Sequence, residues 1–116
     1  MSEPTTIAKG FDVIATRTLE IVDGFGSRVG EAVVKLGRPW QEPTGEWVAP
    51  YQIVGLRVPI TSCMLGMDAI HALQLVQLVI GGALAGSDEG KAGRLRWDGD
   101  SDLGFPLPRE PTSTDR

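Results

Sequence analysis

The segment Ala69 to Ala85, AIHALQLVQLVIGGALA, runs without a formal charge, and it limits the folding options of this chain more than any other stretch. It falls short of the roughly 20 apolar residues that a membrane-spanning helix needs, and His71, Gln74 and Gln77 interrupt it. The reading is a buried helix of a soluble domain, with no membrane. At about 100° per residue, Ala69, Leu73, Val76, Ile80, Ala83 and Leu84 gather on one stripe. Asp68 stands where a carboxylate caps a first turn and favours the positive end of the helix dipole. The pattern therefore predicts a helix over Met67 to Ala85 with that stripe laid on a sheet. The opposite side carries His71, Gln74, Gly81 and Gly82, but Leu75, Leu78 and Val79 project close to it. That polar stripe is narrow for a helix facing water. A second helix, a second copy of the chain, or the chain's own C-terminal segment crossing over would each cover it.

The sheet is legible upstream. Val13 to Val22 is rich in β-branched residues and places Val13, Ala15, Leu19 and Ile21 on one alternating face. It stops at Asp23-Gly24-Phe25-Gly26-Ser27, a run of turn formers that predicts a hairpin. Arg28 to Leu36 then sets Ala32, Val34 and Leu36 against Glu31, Val33 and Lys35, the alternation of a half-buried antiparallel strand. Gly37-Arg38-Pro39 ends it. Glu46 to Val58 puts Trp47, Ala49, Tyr51 and Ile53 on one face, with Pro50 requiring an edge position or a bulge. Arg57 to Met64 reads either as a short strand or as an irregular crossing, because Pro59 removes a ladder donor and the alternation is weak. Gly86 to Gly93 is loop-like, and Arg94 to Asp98 offers a last short strand. The expected fold is α+β: an antiparallel sheet of three to five strands, a meander closed by a returning strand, with one long helix on one face. Residues 1–11 and 107–116, rich in Pro, Thr, Ser and charge, are expected to be flexible tails around a single domain spanning 12–106.

Composition narrows the function classes. A chain of 116 residues with 41% apolar content holds one core. Its net charge of −4 opposes attraction to phosphate backbones and anionic membranes, so nucleic acid is not an expected partner. Cys63 is the single cysteine and cannot form an intrachain disulfide, which fits a reducing compartment. Met1 to Gly10 lacks the basic start and apolar run of a secretory leader, and the expected location is the cytoplasm.

Residues with chemical potential are few. Cys63, His71 and Asp68 are the only thiol, base and carboxylate that could be assembled as a nucleophilic group, yet no Gly-flanked nucleophile elbow surrounds Cys63. A lone cysteine is more often a small buried hydrophobe. Structural zinc needs four Cys or His ligands and this chain has two such residues, so no metal and no cofactor is expected. Asp98-Gly99-Asp100-Ser101-Asp102-Leu103-Gly104 begins like a calcium loop, then places Leu103 where Gly is required and Arg109 where Glu is required. Side-chain-to-backbone turns are the favoured reading. Arg94 and Arg96, with Lys91 before them, could grip an anion but read first as charges guarding a sheet edge. Trp40, Trp47, Tyr51, Trp97 and Phe105 are expected mainly in the core.

The stretches Gly66-Met67-Asp68-Ala69-Ile70-His71-Ala72-Leu73-Gln74-Leu75 and Trp97-Asp98-Gly99 through Leu103-Gly104-Phe105-Pro106 resemble a family of short bacterial proteins described only as a domain of unknown function. Arg17-Thr18-Leu19 and Pro50-Tyr51-Gln52-Ile53-Val54-Gly55 extend the likeness over roughly residues 13–106. The resemblance implies the fold and a bacterial cytosolic origin. It brings no catalytic role, and leaves Asp68 and Gln74 as helix-cap and interface residues.

Three functions are carried forward in order. The first is a non-catalytic protein-interaction domain, of immunity or accessory type, using His71, Gln74, Leu75 and Leu78, with a homodimer among its forms. The second is a small-ligand binder with a pocket between sheet and helix, walled by Trp47, Tyr51 and Trp97 with Arg96 or His71 as polar contacts. An enzyme is the third and weakest.

Overall fold

The computed structural model describes residues 11–107. Strands β1 (Val13–Val22) and β2 (Arg28–Gly37) form the expected hairpin. The Asp23 carboxylate closes its turn by accepting from the backbone N–H groups of Ser27 and Phe25, each at 2.9 Å. Those donors hold the Asp23 carboxyl below its ordinary range.

A two-residue β3 (Trp40–Gln41) precedes the strand expected over Glu46 to Val58, which forms as the shorter β4 (Trp47–Val54) and runs unbroken through Pro50. Along one side of β4, β2 pairs with Tyr51 to Val54 and β3 with Trp47 and Val48. Ala49 and Pro50 therefore have no ladder partner on that side, so the N–H that Pro50 lacks is not needed there. On its other side Pro50 pairs in unbroken register with Cys63, so the irregularity lies in the facing chain, where β2 ends at Gly37 and β3 takes over at Trp40.

Residues left open by their sequence form a full strand, β5 (Ile60–Gly66), antiparallel to β4 from Trp47↔Gly66 to Ile53↔Ile60. The chain then enters α1 (Ala69–Gly86), whose first turn is capped as expected: Asp68 Oδ1 accepts from His71 N at 2.7 Å. His71 returns the contact, its Nδ1 accepting from Met67 N at 3.0 Å. A short helical turn, α2 (Asp88–Lys91), stands inside the expected loop, with Ser87 Oγ accepting from Gly90 N. Glu89 of this turn is buried and accepts from Arg57 N at 2.8 Å, which ties the β4–β5 connection to the end of α1. The final strand β6 (Leu95–Arg96) returns to the free side of β1.

The result is an open antiparallel α+β meander, β5-β4-(β2/β3)-β1-β6, with one main helix on one face. Alternation selects that face. Leu19 and Ile21, Ala32 and Val34, and Ala49, Tyr51 and Ile53 are buried in one cluster with Ala72, Val76, Ile80 and Leu84 of α1. Leu19, Ala32, Ile53, Ala72, Val76 and Ile80 are fully inaccessible, and hydrophobic burial at such sites is worth about 1.5–3 kcal/mol per large side chain. Most residues expected as flexible tails lie outside the described ones, but Phe11 and Leu107 do not. Phe11 is half-buried beside Gly37 and Pro50 on the sheet face away from α1, and Leu107 reaches α1 at Gly81.

Candidate functional site

Five of the 18 residues of α1 are buried, namely Ala72, Val76, Ile80, Gly81 and Leu84. By length and composition the helix could cross a membrane, yet its buried stripe lies on the sheet of its own chain. The side turned away carries His71, Gln74, Leu75 and Leu78, of which Gln74 is exposed and the others are half-buried. These four expected interaction residues share one helix face by their spacing. No Asp, Glu, Lys or Arg falls on it, so solvent meets apolar groups, the Gln74 amide and the His71 imidazole.

The chain itself covers part of this helix. A C-terminal strap, Leu103 to Leu107, crosses α1 so closely that a Cβ on Gly81 would lie 2.2 Å from the Pro106 carbonyl oxygen. A Cβ on Gly82 would meet nothing within 4 Å. The two glycines thus divide: Gly81 admits the strap, while Gly82 lies on the open flank.

Arg17 anchors the strap. It occupies the sheet face under α1, between Ala15 and Leu19, and its guanidinium lies 3.7 Å from the Trp97 ring centroid and 4.8 Å from that of Phe105. Nη1 donates to the Leu103 carbonyl at 3.0 Å. Cation–π contact with two rings and a charge-assisted hydrogen bond hold Arg17 to Leu103 and Phe105 of the strap and to Trp97 in the turn before it. Arg17 was not among the expected functional residues, although an arginine on the apolar phase of β1 was the signal available.

The four residues expected to line a pocket are not brought together. Tyr51 is in the core, where burial raises its hydroxyl pKa, and Trp47 packs against the same cluster. Trp97 stacks on Arg17. Arg96 alone of the four lines a cleft of about 550 Å³ between the end of α1 and the strap, walled by Leu84, Leu95, Phe105 and Leu107. Its Nη1 donates to the carbonyls of Gly93 and Leu95, which fixes the guanidinium. Arg94 spends its Nε on the Val22 carbonyl, so the two arginines are not a paired anion grip.

The nucleophilic group does not assemble. Ile60 and Met64 of β5 pack toward α1, and alternation turns Cys63, paired with Pro50, to the other face of the sheet. Asp68 binds the backbone of His71 and does not orient its ring. Burial also raises the Cys63 thiol pKa, which leaves less thiolate at a given pH. Iodoacetamide should therefore alkylate Cys63 in the folded protein more slowly than free cysteine at pH 8, with the difference closing in denaturant. Equal rates in the folded state would contradict that environment. The acidic loop follows the turn reading: Asp100 Oδ1 accepts from Asp102 N and Asp102 Oδ1 from Gly104 N, each at 3.0 Å. Among the described residues no group of three or more His, Cys, Asp and Glu is placed to hold a metal.

The class this defines is a small α+β domain with an uncharged helix on an open antiparallel sheet and a C-terminal strap across that helix. The family model "Domain of unknown function (DUF6968)" matches residues 15–107, and the chain belongs to that family. No curated protein and no solved structure matches the chain.

Proposed function

We propose that this is a non-catalytic protein-interaction domain whose contact surface is the outward face of α1, centred on His71, Gln74, Leu75 and Leu78. The observation that carries the reading is a charge-free helix of 18 residues with five of them buried. A helix apolar on most sides is normally enclosed by protein, and the strap encloses one flank only. A cytoplasmic setting and an immunity or accessory role belong to the same proposal, supported by the unpaired Cys63 and the net negative charge.

A photo-crosslinking residue at Gln74, introduced into the full chain in its native cells, should yield a discrete protein adduct. The same residue at exposed Thr18, on the opposite face of the sheet, should yield none. Adding Leu78→Glu should abolish the Gln74 adduct while far-UV circular dichroism stays unchanged. No adduct at Gln74, or equal labelling from both positions, would reject the reading.

The 550 Å³ cleft favours a second reading, a site for a small amphipathic ligand, since its volume and apolar walls with one fixed guanidinium are those of ligand pockets. A thermal-shift screen of small carboxylic acids, repeated on Arg96→Ala, would detect it.

A further inference from the structure

The surface of α1 is continuous in character with the sheet edge beneath it. Residues 58–87 carry one formal charge, Asp68, in a chain that is 22% charged. The two ends of the sheet differ accordingly. At one end, β6 has two residues and is flanked by Lys91, Arg94 and Asp98, the short charged rim that prevents edge pairing. At the other end, the seven residues of β5 include neither a charge nor a proline, and among the described residues β5 pairs with β4 alone. Thr61, Ser62 and Leu65 are exposed. Its outer N–H and C=O groups form an unguarded template for another strand.

We propose that the partner at this surface is a second copy of the chain, with β5 pairing antiparallel to β5 about a two-fold axis normal to the sheet and the two α1 helices meeting above the seam. This rests on the interaction reading and names its partner. An isologous contact sets uncharged surface against uncharged surface, whereas a charged partner would lose hydration and gain no counter-charge.

The spacing fits. α1 packs on both β5 and β4, so its axis lies near the line between them. Strands are about 4.8 Å apart, which places that line about 4.8 Å from the two-fold axis and the two helices about 10 Å apart. Packed helices stand about 8–10 Å apart. Gly82 and Gly86, where an added Cβ would meet nothing within 4 Å, leave room for that approach. The register with the greatest overlap is centred on Cys63, the middle of Ile60–Gly66, and sets the two Cys63 side chains opposite each other on the face away from the helices.

Light scattering on the full chain should give the mass of two chains, and mild oxidation should yield a Cys63-linked dimer that Cys63→Ser abolishes. In that register Thr61 faces the partner's Leu65, so Thr61→Lys combined with Leu65→Lys sets like charges directly opposite each other on both sides of Cys63 and should weaken the dimer by about tenfold or more, with circular dichroism unchanged. Each single variant puts an unpaired charge in the seam and should weaken the dimer less. A monomeric wild type would overturn the pairing, and the Gln74 adduct would then decide the interaction reading separately. A dimer broken by Leu78→Glu but untouched by the combined edge variant, and without the Cys63 link, would overturn strand pairing and leave the helix contact standing.

Discussion

Gly55→Ala should lower the stability of the domain by about 3 kcal/mol or more, with a fall in Tm of roughly 12–24 °C. Gly55 ends β4 at φ +102°, in a region that L side chains rarely adopt. Space is the second obstacle: a Cβ there would lie 2.1 Å from the Glu31 carbonyl oxygen and 2.9 Å from Ala32 Cα. Both atoms belong to the backbone of β2, which is paired on one side to β1 and on the other to β4. Neither can retreat without shifting a ladder. Strain of about 1–3 kcal/mol from the dihedral adds to about 1–3 kcal/mol of overpacking. Gly24→Ala is the matched control, because its Cβ would meet nothing within 4 Å and should change stability by no more than about 0.5 kcal/mol. Thermal melts of the two variants decide the matter, and equal melting temperatures would show that β2 yields.

The difference between what sequence disclosed and what it hid follows from where each element obtains its stability. The alternation of Leu19 and Ile21, of Ala32 and Val34, and of Ala49, Tyr51 and Ile53 is written locally, and all of these residues share the buried face. The helix and its Asp68 cap are equally local. β5 is different. Ile60-Thr61-Ser62-Cys63-Met64-Leu65 has apolar and polar groups in both phases, so no face is marked, and the segment becomes a strand through its ladder with β4. The strap was one of the covers that the sequence left open for α1, and what no local pattern carried was its docking, which depends on Gly81 and on Arg17, the latter 86 residues before Leu103. Tyr51 and Trp47 lie in the core as their shared strand face indicates, and the pocket expected between them and Trp97 is absent because Trp97 stacks on Arg17. The outward face of α1 was legible from helical phase, but the uncharged edge beside it emerged only once β5 was in place.

Arg17→Ala should release the strap without unfolding the sheet. The substitution removes the guanidinium from between Trp97 and Phe105 and its hydrogen bond to the Leu103 carbonyl. Cation–π contacts contribute about 0.5–2 kcal/mol, and a hydrogen bond to a charged donor about 1.5–3 kcal/mol. Shared geometry makes these less than additive, so a loss of about 2–3 kcal/mol in the free energy of strap opening is expected. Hydrogen exchange reads this as a rise of up to roughly 30–150-fold at the amides of Trp97 and Asp100, which bond to each other's carbonyls at 2.8 and 2.9 Å in the turn that Arg17 clamps to the strap through the Trp97 ring. The amides of Leu19 and Ile80, in the core, should change far less. Arg17→Lys keeps the charge but loses the planar stack and should fall between. If core and strap amides accelerate together, the strap is part of the global folding unit. If the strap alone accelerates, Gly81 becomes reachable from solvent and the cleft bounded by Phe105 and Leu107 opens with it. Self-association through β5 should then persist, since the strap lies on the opposite flank of α1 from the proposed seam.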